Sequence, residues 1–230
     1  MYDAQRHHRR SVRLEGHDYA EAGAYFVTVC TQGHVCLFGE VVDGQMRMNA
    51  AGDMVQAVWD ELPSHYPGVS TDAFIVIPNH VHGIVVLTPV GAGPRARPDL
   101  GPRVGPDLRD GSDPFPHRQG MAYSGKGRPQ GVAPTSYGPP ADGDRGLSLG
   151  QVVARFKTLA TRRYIEGVRQ SGWPAFRGRL WQRSYYDHII RNERALNYIR
   201  RYIIENPLRW ARDRENPAAT GPDAPDTRQT

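Results

Sequence analysis

The stretch FIVIPNHVHGIVVL, residues 74–87, constrains the fold more than any other part of the sequence. It is a nearly continuous apolar run, rich in Ile and Val, and such a run predicts buried β-structure. His80 and His82 interrupt it. A buried imidazole without a partner costs on the order of 1–3 kcal/mol, so both side chains must have specific partners.

The spacing of the two histidines suggests what those partners are. Residues i and i+2 of a strand lie on one face, about 6–7 Å apart, so His80 and His82 lie side by side while Val81 faces the other way. This geometry suits two ligands of a metal ion. A structural pair bonded to backbone carbonyls is the other interpretation, and the motif by itself favours it. A third ligand nearby would favour the metal site over the structural pair.

The remaining elements predict an α+β sandwich in which helices pack on one face of an antiparallel sheet. Hydrophobic periodicity, capping residues and turn residues locate each element. The predicted order is a strand at 24–32, a hairpin at 36–48, a helix from Asn49 to Pro63, strands at 73–77 and 81–87, a helix from Ser148, a strand at 180–190 and a helix from 191 that Pro207 stops.

Two segments lack the hydrophobic periodicity of a helix or strand that packs into a core. Eleven of the 19 prolines fall between Pro89 and Pro140, which predicts a long disordered Pro/Gly insertion at 91–147. A second disordered segment is expected at 215–230. A chain of 230 residues supports one ordinary core. Residues 1–90 and 148–214 are therefore expected to form one domain together.

Arginine carries the positive charge of the chain. The formal net charge is +5, and only Lys126 and Lys157 among the 29 basic residues are lysines. Arginine forks match phosphates and stack on bases, although GC-rich coding would produce the same bias. The helix after the insertion has a basic face, which is either a solvated face or a DNA contact surface. That face consists of Arg155, Lys157, Arg162 and Arg163.

Cysteine usage and hydropathy exclude several classes. Cys30 and Cys36 are too few for a disulfide framework or a four-ligand zinc site, so reduced, structural thiols are expected. No run approaches the roughly 18 apolar residues of a membrane span, and the first residues lack the apolar region of a secretory signal. We therefore expect a cytoplasmic protein with no membrane partner.

The final predicted helix offers a candidate third ligand with a phenol beside it. At about 100° per residue, Tyr198, Tyr202 and Asn206 form a stripe along the edge of its buried face. Asn206 lies one turn after Tyr202, so an amide oxygen and a phenol could approach the same metal. Ordinary amphipathic packing is the alternative, and this helix taken alone favours it.

Five motifs taken together resemble the REP-associated tyrosine transposases, a group of the HUH single-tyrosine nucleases. They are VIPNHVHGIVVL, LWQRSYYDHIIRNE, YIIENP, RRSVRLEGHDY and YFVTVCTQ, and they span most of residues 9–90 and 148–210. The resemblance implies a ferredoxin-like α+β fold. It also implies a divalent metal held by His80, His82 and Asn206, with Tyr202 as the catalytic nucleophile.

The implied activity is metal-dependent nicking and rejoining of single-stranded DNA through a 5'-phosphotyrosine intermediate. The expected cofactor is Mg²⁺ or Mn²⁺, and the expected partner is a hairpin of repetitive extragenic palindromic DNA, which would associate the protein with the nucleoid. A catalytically silent DNA- or RNA-binding protein of the same fold is one alternative. A zinc-dependent hydrolase is another, but the histidines lack an obvious neighbouring carboxylate and an HExxH-like helix. The sequence leaves open whether the protein is a monomer or a dimer.

Overall fold

The computed structural model describes residues 18–89 and 146–219. The predicted insertion at 91–147 lies outside these ranges except for its last two residues. The elements in chain order are β1 Gly23–Cys30, β2 Gly39–Val42, β3 Gln45–Met48, α1 Ala50–His65, β4 Val69–Ile77, β5 His80–Leu87, α2 Leu149–Ser171, β6 Tyr186–Ile190 and α3 Glu193–Arg209, with short 3-10 turns at Gln32–His34 and Trp210–Arg212.

A four-stranded antiparallel sheet in the order β4-β5-β1-β6 forms the centre of the fold. With α1 between β1 and β4 and α2 between β5 and β6, this is the ferredoxin-like βαββαβ arrangement. The β2–β3 hairpin is inserted between β1 and α1. In the register of the two central strands, Cys30 pairs with His80 and Thr28 pairs with His82. The α+β prediction is confirmed.

Helices cover both faces of this sheet. Tyr25 and Val27 of β1 belong to the core cluster that includes residues of α1 and α2. Phe26 of β1 belongs to a second cluster with residues of α3. The prediction that helices pack on one face therefore holds for α1 and α2 but not for α3. Both faces of the central strands carry apolar side chains, so each face needs a covering layer.

The starts of α1 and α2 follow the sequence signals, but the ends of α1 and α3 do not. Asn49 caps α1, and Ser148 with Gln151 forms the capping box of α2. However, α1 continues past Pro63 and α3 continues past Pro207. A proline in the last turn removes a single backbone hydrogen bond, which does not end a helix that is packed on a sheet.

The strand predicted at 180–190 is shorter than expected. Only Tyr186–Ile190 forms ladder pairs with β1, and Trp181 makes an isolated bridge to Thr31. The intervening backbone instead receives a side chain from α2: the ammonium of Lys157 donates to the carbonyls of Gln182 and Ser184. The Lys157 ammonium thus satisfies carbonyls that lie outside the ladder.

The chain remains ordered beyond the predicted start of the tail at 215. Asn216 is buried and donates from Nδ2 to the backbone carbonyl of Trp210 at 2.8 Å. The carboxylate of Glu215 lies 2.7 Å from Nδ1 of His34. The predicted tail boundary at 215 is therefore too early, because residues 215 and 216 make these contacts. Residues 220–230 lie outside the described residues. In the two described ranges, no helix has the length and apolarity that a membrane span requires.

Candidate metal centre

His80 and His82 converge on one point between the sheet and the C-terminal part of the chain. Their side chains are 0% and 4% exposed, and their Nε2 atoms are 3.1 Å apart. Two ligands bound about 2.1 Å from one metal ion are separated by about 3.0–3.4 Å, depending on the coordination geometry. The two rings thus already have the separation that a shared cation requires.

Asn79 fixes the tautomer of His80. The side-chain nitrogen of Asn79 donates to the backbone carbonyls of His34 and Glu215, which leaves Oδ1 as the atom that faces His80. Oδ1 can only accept, and it lies 2.8 Å from His80 Nδ1. The proton of His80 is therefore on Nδ1, and the lone pair on Nε2 points towards His82.

His82 is held between Thr28 and Phe26. Its Nδ1 lies 2.9 Å from the hydroxyl of Thr28, which can either donate or accept. Its ring stacks on Phe26, with centroids 5.4 Å apart. Without a cation, His82 can donate from Nε2 to His80. With a cation, its proton can move to Nδ1 and bond Thr28, which frees the second Nε2 as a ligand.

Both imidazoles are kept neutral by their surroundings. Burial lowers the pKa of His80, and Asp213 and Glu215 oppose that effect only in part. Burial, together with the neighbouring His80, holds the pKa of His82 well below its ordinary value. A neutral imidazole is the form that binds a metal, so the pair has its ligand form at neutral pH.

Asn206 contributes a buried polar atom that has no partner among the described residues. Its side chain is 1% exposed on α3, and its Oδ1 makes no hydrogen bond. A buried oxygen in this condition costs about 1–3 kcal/mol unless it meets a donor or a cation. Asn206 therefore has the donor chemistry expected of a metal ligand, and the residues present fit a divalent cation.

The carboxylate of Asp213 lies beside the two histidines. Sequence reasoning did not identify this residue. Its Oδ2 lies 4.0 Å from His80 Nε2, and the three side chains form a compact group of possible ligands. The carboxylate judged to be missing beside the histidines is therefore present. No local motif signals it, because Asp213 follows α3 and reaches the site only through tertiary folding.

The two candidate tyrosines of α3 have different environments. The ring of Tyr202 packs edge-on against His82, with centroids 5.5 Å apart, and against Phe26 at 6.0 Å. The guanidinium carbon of Arg209 lies 5.7 Å from the centre of the Tyr202 ring. Tyr198 is 36% exposed one turn earlier. Tyr202 is thus the tyrosine of the predicted stripe that contacts the histidine site.

The predicted basic face of α2 does not lie with this site. The helix packs against the opposite face of the sheet, where its buried residues cluster with Val81. Arg163 makes a bidentate pair with Glu61 at 2.8 and 2.6 Å. The guanidinium of Arg155 lies 4.6 Å above the ring of Tyr66. These two residues hold α2 against the rest of the protein.

Lys157 is also engaged inside the fold. Its Nζ lies 2.9, 3.4 and 3.1 Å from the carbonyls of Gln182, Arg183 and Ser184. Burial lowers the pKa of Lys157 to about 8. Of the four residues predicted to contact DNA, Arg162 is the most exposed, and the other three are partly buried and make the contacts described above.

No protein-family model matches the chain. The chain is similar to an uncharacterized protein of Haemophilus influenzae, with 31% identity over 215 residues that cover 92% of this chain and 95% of the relative. This chain belongs to the family of that protein. Because the relative is itself uncharacterized, membership of the family assigns no activity.

Two solved structures show weaker likenesses. One is a REP-associated tyrosine transposase bound to a REP hairpin, with a TM-score of 0.43 and 14% identity over 86% of this chain and 73% of that chain. The other is a candidate transposase of Deinococcus radiodurans R1, with a TM-score of 0.37 and 17% identity over 85% of this chain and 98% of that chain. Likenesses at this level assign neither a fold nor a function. The fold of this chain is therefore identified from its own sheet topology.

Proposed function

We propose that the chain is a metal-dependent enzyme of the transposase type that nicks and rejoins single-stranded DNA, with Tyr202 as the nucleophile. The observation that carries this proposal is the convergence of His80 and His82 Nε2 at 3.1 Å beside the ring of Tyr202. The sequence resemblance to REP-associated tyrosine transposases supplies the class of reaction and of substrate.

The metal would be held through both Nε2 atoms, with oxygen ligands from Asn206 and Asp213. A divalent cation bound there would polarise the scissile phosphate and neutralise charge on its oxygens. Imidazole nitrogens combined with amide and carboxylate oxygens suit Mn²⁺ at least as well as Mg²⁺, which prefers oxygen alone. Asn79 and Thr28 would set the tautomers of the two histidines.

Tyr202 would form the covalent intermediate. Its phenolic oxygen attacks the phosphorus, the bond from phosphorus to the 3'-oxygen breaks, and a 5'-phosphotyrosine forms. The departing 3'-oxygen takes up a proton, which balances the proton that the phenol loses. A phenol is mostly protonated at pH 7, so the attack includes loss of this proton. The reverse attack by a 3'-hydroxyl rejoins the strand without an external energy source.

The substrate would bind on the α3 side of the sheet. Arg201 and Arg212 are exposed and are adjacent in sequence to Tyr202 and Asp213. Such guanidinium groups beside a metal centre suit the phosphates of an unpaired strand. We propose palindromic-repeat hairpins with single-stranded flanks as the substrate, with α3 in place of α2 as the principal contact helix.

The test is to incubate the full chain with a single-stranded repeat hairpin and Mn²⁺. The expected result is a protease-sensitive protein–DNA adduct that chelation of the metal abolishes. An adduct that forms equally well in the presence of chelator contradicts the metal role. Hairpin binding without any adduct, with every metal tried, would instead indicate a catalytically silent nucleic-acid-binding protein.

A further inference from the structure

A second group of metal-binding side chains lies at the end of β1 beside the histidine pair. Cys30, His34 and Glu215 each offer one ligand atom, and these three atoms lie within 4.8 Å of one another. The Oε2 atom of Glu215 is common to both contacts of the group. It lies 2.7 Å from His34 Nδ1 and 3.7 Å from Cys30 Sγ.

These distances are close to those around a tetrahedral zinc ion. Zinc binds sulfur at about 2.3 Å and nitrogen or oxygen at about 2.0–2.2 Å, which places its ligands about 3.3–3.6 Å apart. The sulfur-to-oxygen distance already has this size, and the Nδ1-to-Oε2 distance needs to lengthen by about 0.6 Å. The side chains of His34 and Glu215 are each more than one-third exposed, whereas Nδ1 of His34 is itself buried.

Nδ1 is the nitrogen of His34 that faces Glu215, and Nε2 has a separate partner. The Nε2 atom lies 2.9 Å from the side-chain nitrogen of Gln182, which donates to it, so without an ion the His34 proton is on Nδ1 and faces Glu215. An ion bound at Nδ1 would displace this proton, and a turn of the Gln182 amide would then present its oxygen to an Nε2 proton and orient the ring. The backbone of His34 also has a φ of 55°, a left-handed conformation that costs a non-glycine residue about 1–3 kcal/mol.

We propose that Cys30, His34 and Glu215 form a second metal site, for a thiophilic divalent ion such as Zn²⁺, with solvent at the fourth position. A soft thiolate selects such an ion over Mg²⁺ and Mn²⁺, which suit oxygen donors. The thiol of Cys30 loses its proton when the ion binds. This proposal does not depend on the proposed DNA chemistry, and it replaces the expectation that Cys30 is only a structural thiol.

An ion at this site would fasten the C-terminal segment to the sheet. Cys30 is the last residue of β1, His34 lies in the following turn, and Glu215 is two residues after Asp213. Asn79 already links the two places, because it contacts His80 through Oδ1 and the Glu215 carbonyl through Nδ2. The second ion would thus be structural and would hold Asp213 beside the histidine pair.

Cobalt substitution tests this proposal directly. The full chain is stripped with chelator, kept reduced with a phosphine, and titrated with Co²⁺ while the near-ultraviolet thiolate-to-cobalt charge-transfer absorption is recorded. We expect this band in the wild type, in Cys36→Ser and in His80→Ala, and its loss in Cys30→Ser. The exposed Cys36 is the matched control for a surface thiol. A wild type without the band, or a Cys30→Ser variant that keeps it, overturns the proposal.

Two further measurements remain decisive if Cys30→Ser fails to fold. In the His80→Ala background, which removes the histidine-pair site, Glu215→Gln keeps the side-chain shape and should weaken Zn²⁺ binding by at least about tenfold in a competition with a coloured chelator. In the unmodified chain, Zn²⁺ should slow alkylation of Cys30 while Cys36 continues to react, as peptide mapping would show. Unchanged zinc affinity in Glu215→Gln, or unprotected Cys30, contradicts the site.

Discussion

Oδ1 of Asn79 lies 2.8 Å from Nδ1 of His80, and the other atoms of the Asn79 amide are tied to two backbone carbonyls. This one contact determines which nitrogen of His80 faces the proposed metal. It is a buried hydrogen bond between the turn residue Asn79 and the first residue of β5, and the carbonyls of His34 and Glu215 orient the amide that makes it.

Removal of this acceptor should weaken metal binding at the histidine pair. We expect Asn79→Ala to lower Mn²⁺ affinity by about 10–100-fold, because loss of an outer-shell partner releases the ring and its tautomer. Calorimetric titration would measure this change. Asn79→Asp keeps an oxygen acceptor for Nδ1 and should recover part of the affinity. Equal losses in the two variants would show that the amide acts only by holding the backbone.

Loss of either histidine should separate cleavage from binding. We expect His80→Ala or His82→Ala to reduce adduct formation by at least about 100-fold, since loss of an outer-shell partner alone costs about 10–100-fold. Hairpin affinity should change little, because most phosphate and base contacts lie outside a metal site. Gel assays for adduct and fluorescence anisotropy for binding would be run on the same preparations. Parallel loss of both activities would point to a structural pair.

Tyr202 and Tyr198 provide a matched pair for the nucleophile. Tyr202→Phe removes the attacking oxygen and keeps the ring against Phe26 and His82, so the variant should fold and bind hairpin but form no adduct. Tyr198→Phe should still form the adduct, because that residue is exposed one turn away. Denaturing electrophoresis with labelled DNA distinguishes the two. Covalent DNA on the Tyr202→Phe protein would falsify the assignment.

Arginines on the α3 side should account for more of the salt dependence than those on α2. The double variant Arg201→Ala/Arg212→Ala should flatten the slope of log affinity against log salt by about 1.4, at about 0.7 per phosphate contact on a single strand. The matched control is Arg162→Ala/Arg169→Ala, whose two exposed arginines lie on α2. Anisotropy titrations at several salt concentrations measure both. A larger effect in the control pair would move the DNA path to α2.

Lys157 should matter for stability because three backbone carbonyls accept from its ammonium. Lys157→Met keeps the length of the side chain and leaves those oxygens without this partner, so we expect a loss of about 1–3 kcal/mol in the free energy of unfolding. Urea denaturation would measure it. Arg162→Ala, on the exposed face of the same helix, should change stability by less than about 0.5 kcal/mol. Similar small changes in both variants would refute the structural role of Lys157.

Local sequence signals determined most of the framework. The apolar run around His80 and His82 predicted central β-structure, because alternation along a strand is a local property. The capping residues Asn49 and Ser148 located two helix starts for the same reason. The periodicity of α3 also placed Tyr202 and Asn206 in a stripe at the edge of its buried face, and the structure buries Asn206 completely. Each of these features depends on neighbours within about one or two turns.

Only the tertiary structure decided which distant groups meet. α3 covers the second face of the sheet, Lys157 lies inside the fold, and Asp213 and Glu215 come to the end of β1 and the start of β5. The contacts of Glu215 with Asn79 and of Asp213 with His80 join residues more than 130 positions apart in the sequence. Their formation depends on how three layers pack, and no local period records that packing. The sequence by itself therefore specified two histidines on one face of a strand, whereas folding brought the carboxylate of Asp213 to them.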